Sequence, residues 1–221
     1  MDNMLANTQL IEKIDAFLDR YQSDLSFSHG VDHVRRVAKL AVKIGTIEKA
    51  DCQIIEVAAL LHEVGIIPLG WSRRALGRDE NDFQEFLGLY VLPSADHAKI
   101  GALIAERFLE QIGYPETKTK QVALIISEHN TNKQTTVESG VVNDADKLEI
   151  LGATWVARAF QRTNAFDRYI GIESVPQKYL KGKERLLDSF HTETAKKMAM
   201  QRYRFLESFN EQFERELRLE T

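Results

Sequence analysis

Thiol chemistry is almost missing from this chain, which has one cysteine, Cys52, in 221 residues. No intrachain disulfide can form, and a thiolate-rich zinc site is excluded. Proline is scarce as well, at four residues, so little interrupts helical continuity. No apolar run approaches the roughly 18 to 20 residues of a membrane span. Met1-Asp2-Asn3-Met4 lacks the basic-then-apolar order of a signal peptide. A basic excess is also absent: 29 Lys and Arg against 33 Asp and Glu leave a formal net charge of −4. Nucleic acid would call for a concentrated positive face, and none is visible. A cytoplasmic protein that binds neither nucleic acid nor membrane is therefore expected. With 43% hydrophobic residues the chain can fill one sizeable core, and no repeat or linker divides it.

What is present is mostly helical periodicity. Leu10, Ile14, Phe17, Leu18 and Tyr21 mark a first amphipathic helix, and Val34, Val37, Ala38, Ala41 and Ile44 a second. Ile54, Val57, Ala58 and Leu61 mark a third, with Gly65 as its C-terminal stop. Residues 66–93 break the pattern and read as a long connection with one short helix at most. Ser94 then caps a helix ending near Gly113. Another helix covers about 117–129, and a further one carries Asp144 and Asp146 and runs on to about Phe160. The segment 191–218 sets Met198, Leu206, Phe209, Phe213 and Leu217 on one face, the pattern of a core-packing helix. The fold expected from these signals is an all-α, single-domain bundle.

Six histidines occupy distinct settings. His29 and His33 are four apart at a helix start, so they can share a face. His62 and Glu63 end an apolar helix, His97 opens one, and His129 closes another. Asp144 and Asp146 follow Val141 and Val142. A histidine ending an apolar helix is, by itself, more often a cap than a ligand. Several such groups at the ends of neighbouring helices can instead converge at one end of a bundle, where metals are bound by facing helices. Imidazole with carboxylate suits Mn, Fe, Co, Ni or Zn.

The order His33-Val34-Arg35-Arg36-Val37, then Leu60-Leu61-His62-Glu63-Val64-Gly65, then Asp144-Ala145-Asp146-Lys147-Leu148 resembles the HD-domain superfamily of metal-dependent phosphohydrolases. Ser28-His29-Gly30-Val31-Asp32-His33 is similar to the entry motif of its bacterial YpgQ/YedJ-like branch. Glu138, Asp144-Ala145-Asp146, Gly152-Ala153 and Ala157-Arg158-Ala159-Phe160 look like that branch's later motif. The resemblance implies one HD-type helical domain over 1–221, with a motif core of about 28–160 and C-terminal helices within 174–218 packed on it. It also implies that His33, His62, Glu63 and Asp146 hold a first divalent ion, with His97 and His129 adding a second that the carboxylate at position 63 bridges. The namesake His-Asp pair is His62-Glu63 here. Glutamate keeps the carboxylate but moves its oxygens by one methylene, and metal sites absorb only about 0.2 Å before readjusting.

The implied activity is hydrolysis of a phosphate ester or anhydride in a small substrate, with a nucleotide foremost. Glu63 or Asp144 would accept the proton of the attacking water, and Arg36, Lys147 and Arg158 would offset charge on phosphate oxygens. His29 and Asp32 are candidates to orient a ligand. Trp71, Phe83, Phe86 and Tyr90 would stack a base or form a satellite apolar cluster. His191 stands apart, at the start of the last helix. A di-iron oxygenase and a non-catalytic nucleotide- or partner-binding module are the alternatives. Oligomeric state has no signature, a homodimer being one option.

Overall fold

The computed structural model describes residues 2–21, 29–68, 84–86, 89–91, 96–164 and 171–220. It is helical, as the periodicity predicts, and divides into two compact units, Met1–Asn143 and Asp144–Thr221. Among the described residues no helix is long and apolar enough to cross a membrane.

The first unit is organised around its most apolar helix. Helices α1 (Asp2–Arg20), α2 (Val31–Glu48) and α3 (Cys52–Leu61) follow in order. Asp51 caps α3 by accepting from the amides of Gln53 and Ile54. From Ile54 to Leu61 every α3 side chain except Glu56 is buried, the signature of a helix surrounded by others. It packs on α1, α2 and the later helix Glu116–Glu128. Ile14, Phe17 and Leu18 form the buried stripe of α1, and Phe17 meets Phe108 with ring centroids 4.4 Å apart. Arg35 fastens α2 to α1 through Asp15 and Asp19, each at 2.9 Å.

Between 66 and 93 the described residues include a helical stretch at 66–68, where the sequence allows a short helix, and a hairpin that it does not announce. Strand β1 (Gln84–Phe86) pairs antiparallel with β2 (Leu89–Val91), Glu85 opposite Tyr90. Trp71 and Phe83 lie outside the described residues, and only the backbone is described at Phe86 and Tyr90. Helix α4 (His97–Gln111) is capped by Asp96, whose carboxylate accepts from the Ala98 amide at 3.0 Å. That cap replaces Ser94, which also lies outside the described residues. Helix α5 (Glu116–Glu128) packs on α4.

Helix α6 (Val137–Leu148) starts in the first unit and ends in the second. The expected continuation to Phe160 does not occur. The chain turns at 149–151, and α7 (Gly152–Asn164) begins at a glycine with φ +78°. A side chain there would adopt the left-handed region and meet the stem of Arg202, with Cγ 3.1 Å away. Short helical turns at Ile172–Ser174, Pro176–Leu180 and Glu184–Ser189 lead to α8 (Glu193–Leu217). Helix α8 packs on α7 and on the last two turns. Phe160, Phe209 and Phe213 cluster there, with Phe209 and Phe213 stacked at 5.6 Å. Trp155 donates its indole N–H to the Tyr179 carbonyl at 2.8 Å.

Candidate metal centre

Helices α3 and α5 end alike. Each is followed by a histidine still in helical conformation, His62 after Leu61 and His129 after Glu128. Both rings turn Nδ1 onto the carbonyl three residues back, His62 to Ala59 and His129 to Ile126, each at 2.7 Å. A carbonyl only accepts, so Nδ1 carries the proton and Nε2 keeps the lone pair. This is how a metal-ligating imidazole is oriented by its other nitrogen. Asn143 steadies the second of these ends, donating Nδ2 to the His129 carbonyl at 2.6 Å.

Five of the six histidines form one continuous string. Ring centroids are 5.7 Å apart for His29 and His33, 5.5 Å for His33 and His62, and 5.2 Å both for His62 and His129 and for His129 and His97. His33, His62 and His129 are buried, whereas His29 and His97 are partly exposed. The Glu63 carboxylate, only 3% exposed as a residue, lies among them. Its Oε1 is 3.7 Å from Nε2 of both His29 and His62, and its Oε2 is 3.8 Å from Nε2 of His97. Glu63, His97 and His129 each offer a ligand atom, all within 4.8 Å of one another. Imidazole nitrogens around one carboxylate suit a divalent first-row ion, so these groups are able to hold a metal.

Glycine makes this convergence sterically feasible. After His62 and Glu63 the backbone turns against the first turns of α4. A Cβ on Gly65 would run into the His97 carbonyl and lie 2.7 Å from the Gly101 amide nitrogen. A Cβ on Gly101 would sit 3.3 Å from the Gly65 nitrogen and from Ile126. The two glycines therefore let backbone meet backbone, and that contact carries Glu63 to His97. Gly65 is legible in the sequence as a helix stop. The signals for Gly101 and Asn143 are fainter: a glycine inside Ile100-Gly101-Ala102 and an amide after Val141-Val142, both unusual in apolar helical surroundings.

Four of the remaining sequence-derived residues, Asp144, Lys147, Arg158 and Arg36, are engaged by other partners. Asp146 is half-buried on α6, one turn beyond Asn143. Asp144 is fully buried within the second unit, where its oxygens accept from the His191 amide, the Thr192 amide and the Thr192 hydroxyl, each at 2.8 Å. Burial pushes its carboxyl above the usual value, against the pull of these donors. A carboxylate so occupied anchors the start of α8. His191 itself is exposed and precedes the Thr192 cap. Lys147 donates to the Ser189 carbonyl at 2.7 Å, and burial draws its ammonium below the usual value, opposed by Asp144 and Asp146. Arg158 lies 3.6 Å from buried Glu149 and donates to that residue's carbonyl. Both cations thus make contacts within the second unit. Arg36 pairs with exposed Asp32 at 2.6 Å. Burial raises the Asp32 carboxyl, but the Arg36 hydrogen bond and charge outweigh it and hold the carboxyl below its usual value.

A helical fold with imidazoles and a carboxylate gathered at helix ends defines a class built for divalent metal. The HD domain family model matches residues 30–151, more than half of the chain, and the chain belongs to that family. Across 208 residues it is 29% identical to the uncharacterized protein YpgQ of Bacillus subtilis (strain 168), covering 93% of each chain. The crystal structure of YpgQ in complex with ADP superposes with a TM-score of 0.65 at 26% identity, over 93% of this chain and 95% of that one. A predicted HD superfamily hydrolase from an uncultured Thermotogales bacterium gives 0.65 at 26% identity, over 94% and 92%. An HD-superfamily hydrolase from Bacillus thuringiensis gives 0.64 at 28%, over 96% and 98%. The chain therefore has the fold of the HD superfamily hydrolases and, in its own residues, a donor set for metal.

Proposed function

We propose that this protein is a metal-dependent phosphohydrolase that cleaves a phosphate ester or anhydride, with a nucleotide as the substrate class. The observation that carries the reading is the Glu63 carboxylate, whose two oxygens each have different imidazole nitrogens as neighbours. The nucleotide rests on similarity to YpgQ, whose structure is in complex with ADP.

His33, His62, Glu63 and Asp146 would hold one ion, and Glu63, His97 and His129 a second, with Mn, Fe, Co, Ni and Zn all suited. Asp146 is included because α6 continues unbroken from Asn143, which grips the His129 carbonyl. The same helix, and an HD match that runs through it to 151, argue for one HD-type domain over the two compact units. A bound ion lowers the pKa of its water toward neutrality and polarises a phosphoryl oxygen. The protein's part is to fix the donors. The Ala59 and Ile126 carbonyls hold the His62 and His129 tautomers, and the Gly65–Gly101 contact sets the reach of Glu63. With Asp144 engaged at α8, Glu63 is the remaining proton acceptor of the two carboxylates considered. Arg36, one turn from His33, would exchange Asp32 for phosphate oxygens.

The test is phosphate or pyrophosphate release from nucleoside mono-, di- and triphosphates, without oxygen, in the presence of Mn or Co. Release that disappears in His62→Ala and Glu63→Gln supports the hydrolase. A second reading, a di-iron oxygenase, is favoured by the separate Glu63, His97 and His129 donor set. Two bound irons and oxygen consumption without phosphate release would select it. Nucleotide binding without turnover of any kind would leave a binding module.

A further inference from the structure

Helices α3 and α5 secure their terminal histidines differently. Behind His62 the chain continues in tight turns, with the Val64 amide donating to the Leu61 carbonyl at 3.2 Å and the Ile66 amide to the Glu63 carbonyl at 3.0 Å. Gly65 then rests against the backbone of His97 and Gly101. Behind His129 the chain leaves through residues 130–133, all exposed. A side chain reaches in at that point. Asn143, only 2% exposed, donates Nδ2 to the His129 carbonyl at 2.6 Å and to the Thr131 carbonyl at 3.3 Å. Carbonyls only accept, so both amide hydrogens are committed and the amide has one orientation. Its Oδ1 is buried and meets no donor among the described residues. A buried acceptor left in that state carries a desolvation cost that an apolar side chain of the same size avoids. Packing alone therefore gives no reason for an amide at this position, whereas a hold on His129 does. His129 is fixed at its other end as well: its ring Nδ1 and its own amide both point to the Ile126 carbonyl, at 2.7 and 3.4 Å.

Accepting the metal-centre reading above, we propose that Asn143 is a positioning residue for the ion that Glu63, His97 and His129 would hold. It pins the His129 backbone so that the ring keeps its Nδ1–H tautomer and offers Nε2 to the metal. Asn143 acts through His129 and is not itself a ligand.

Two measurements on the full-length chain test this, one of them independent of metal. Asn143→Ala removes the amide, and Asn143→Leu removes it while keeping the volume that the fold needs. Gln134→Ala is the control, because Gln134 donates to the Glu128 and Thr131 carbonyls but not to that of His129. Nitrogen-15 NMR of the metal-free chain is taken at about pH 8, where imidazole is neutral. His129 is expected as a single Nδ1–H tautomer that becomes a mixture in both Asn143 variants, with His62 unmoved. Cobalt(II) titration against a competing chelator should show one ion weakened at least tenfold in both variants, within the roughly 10- to 100-fold that partners of metal ligands contribute. Gln134→Ala should change neither readout. An unmoved His129 tautomer in the Asn143 variants would overturn the proposal, and so would cobalt affinities equal to those of the unaltered protein. Equal losses in Gln134→Ala would overturn it too, by assigning the effect to the loop as a whole. An unaltered protein that binds no cobalt would remove the metal-centre reading and this role together.

Discussion

Glu63 and Asp144 are both carboxylates sunk almost out of solvent, and both sit where an apolar helical run gives way to polar residues. Their surroundings have nothing in common. Asp144 is met by two backbone amides and a hydroxyl at the start of α8, all at 2.8 Å. Glu63 is met by three imidazole nitrogens at 3.7 to 3.8 Å. The first set is a closed hydrogen-bonding shell, complete as it stands and able to neutralise a buried charge. The second is a shell of donors spaced for a cation between them. Burial of a carboxylate therefore says little about its use until the atoms around it are counted. One of these groups holds a helix in place and the other is the centre of the proposed metal site.

Four substitutions break or sharpen that contrast. Asp144→Ala has the largest effect. It leaves two amides and a hydroxyl without their acceptor, and should cost about 3–5 kcal/mol in urea unfolding. Glu63→Gln comes next and acts on a different observable. Removing the charge should weaken metal binding at least 100-fold by chelator competition, about 2.7 kcal/mol, with little change in unfolding midpoint once metal is removed. If the two variants exchanged phenotypes, the division of labour would be wrong. Gly65→Ala forces a Cβ into the His97 carbonyl and the Gly101 amide. Overpacking of this kind costs about 1–3 kcal/mol, and metal affinity should fall with stability because Glu63 moves away from His97. Gly113→Ala is the milder counterpart. Gly113 has φ +77° but nothing within 4 Å of a built Cβ. Its cost is backbone strain alone, about 1 kcal/mol, with metal affinity untouched.

Most of what the sequence made legible was local. The stripes of α1, α2 and α3 follow directly from helical spacing, and Ile14, Phe17, Val34, Val37, Ile54 and Val57 are buried as that spacing requires. The polar residues closing α3 and α5 were equally visible, because a histidine after an apolar run stands out. What the sequence concealed depended on distant partners. Asp144 and Asp146 look interchangeable as residues, and only the arrival of Thr192, 48 positions later, gives Asp144 its shell. Lys147 and Arg158 read as phosphate contacts, and Ser189 and Glu149 beside them come to view only in the fold. The helix break at Gly152 was masked by favourable helix formers on both sides; the φ of +78° and the Arg202 stem against it belong to tertiary structure. Asp96 in place of Ser94 as the cap of α4 is a choice between two good capping residues two positions apart, which propensity alone does not decide.

The histidines around Glu63 are proposed to form a metal centre with the carboxylate between two sites. Elemental analysis of metal per chain tests it most directly, on protein purified without oxygen or chelator and again after reconstitution with Mn, Fe or Co. Two ions per chain are expected, falling to one or none in Glu63→Gln; no bound ion under any of these conditions would mean that these histidines form no metal centre.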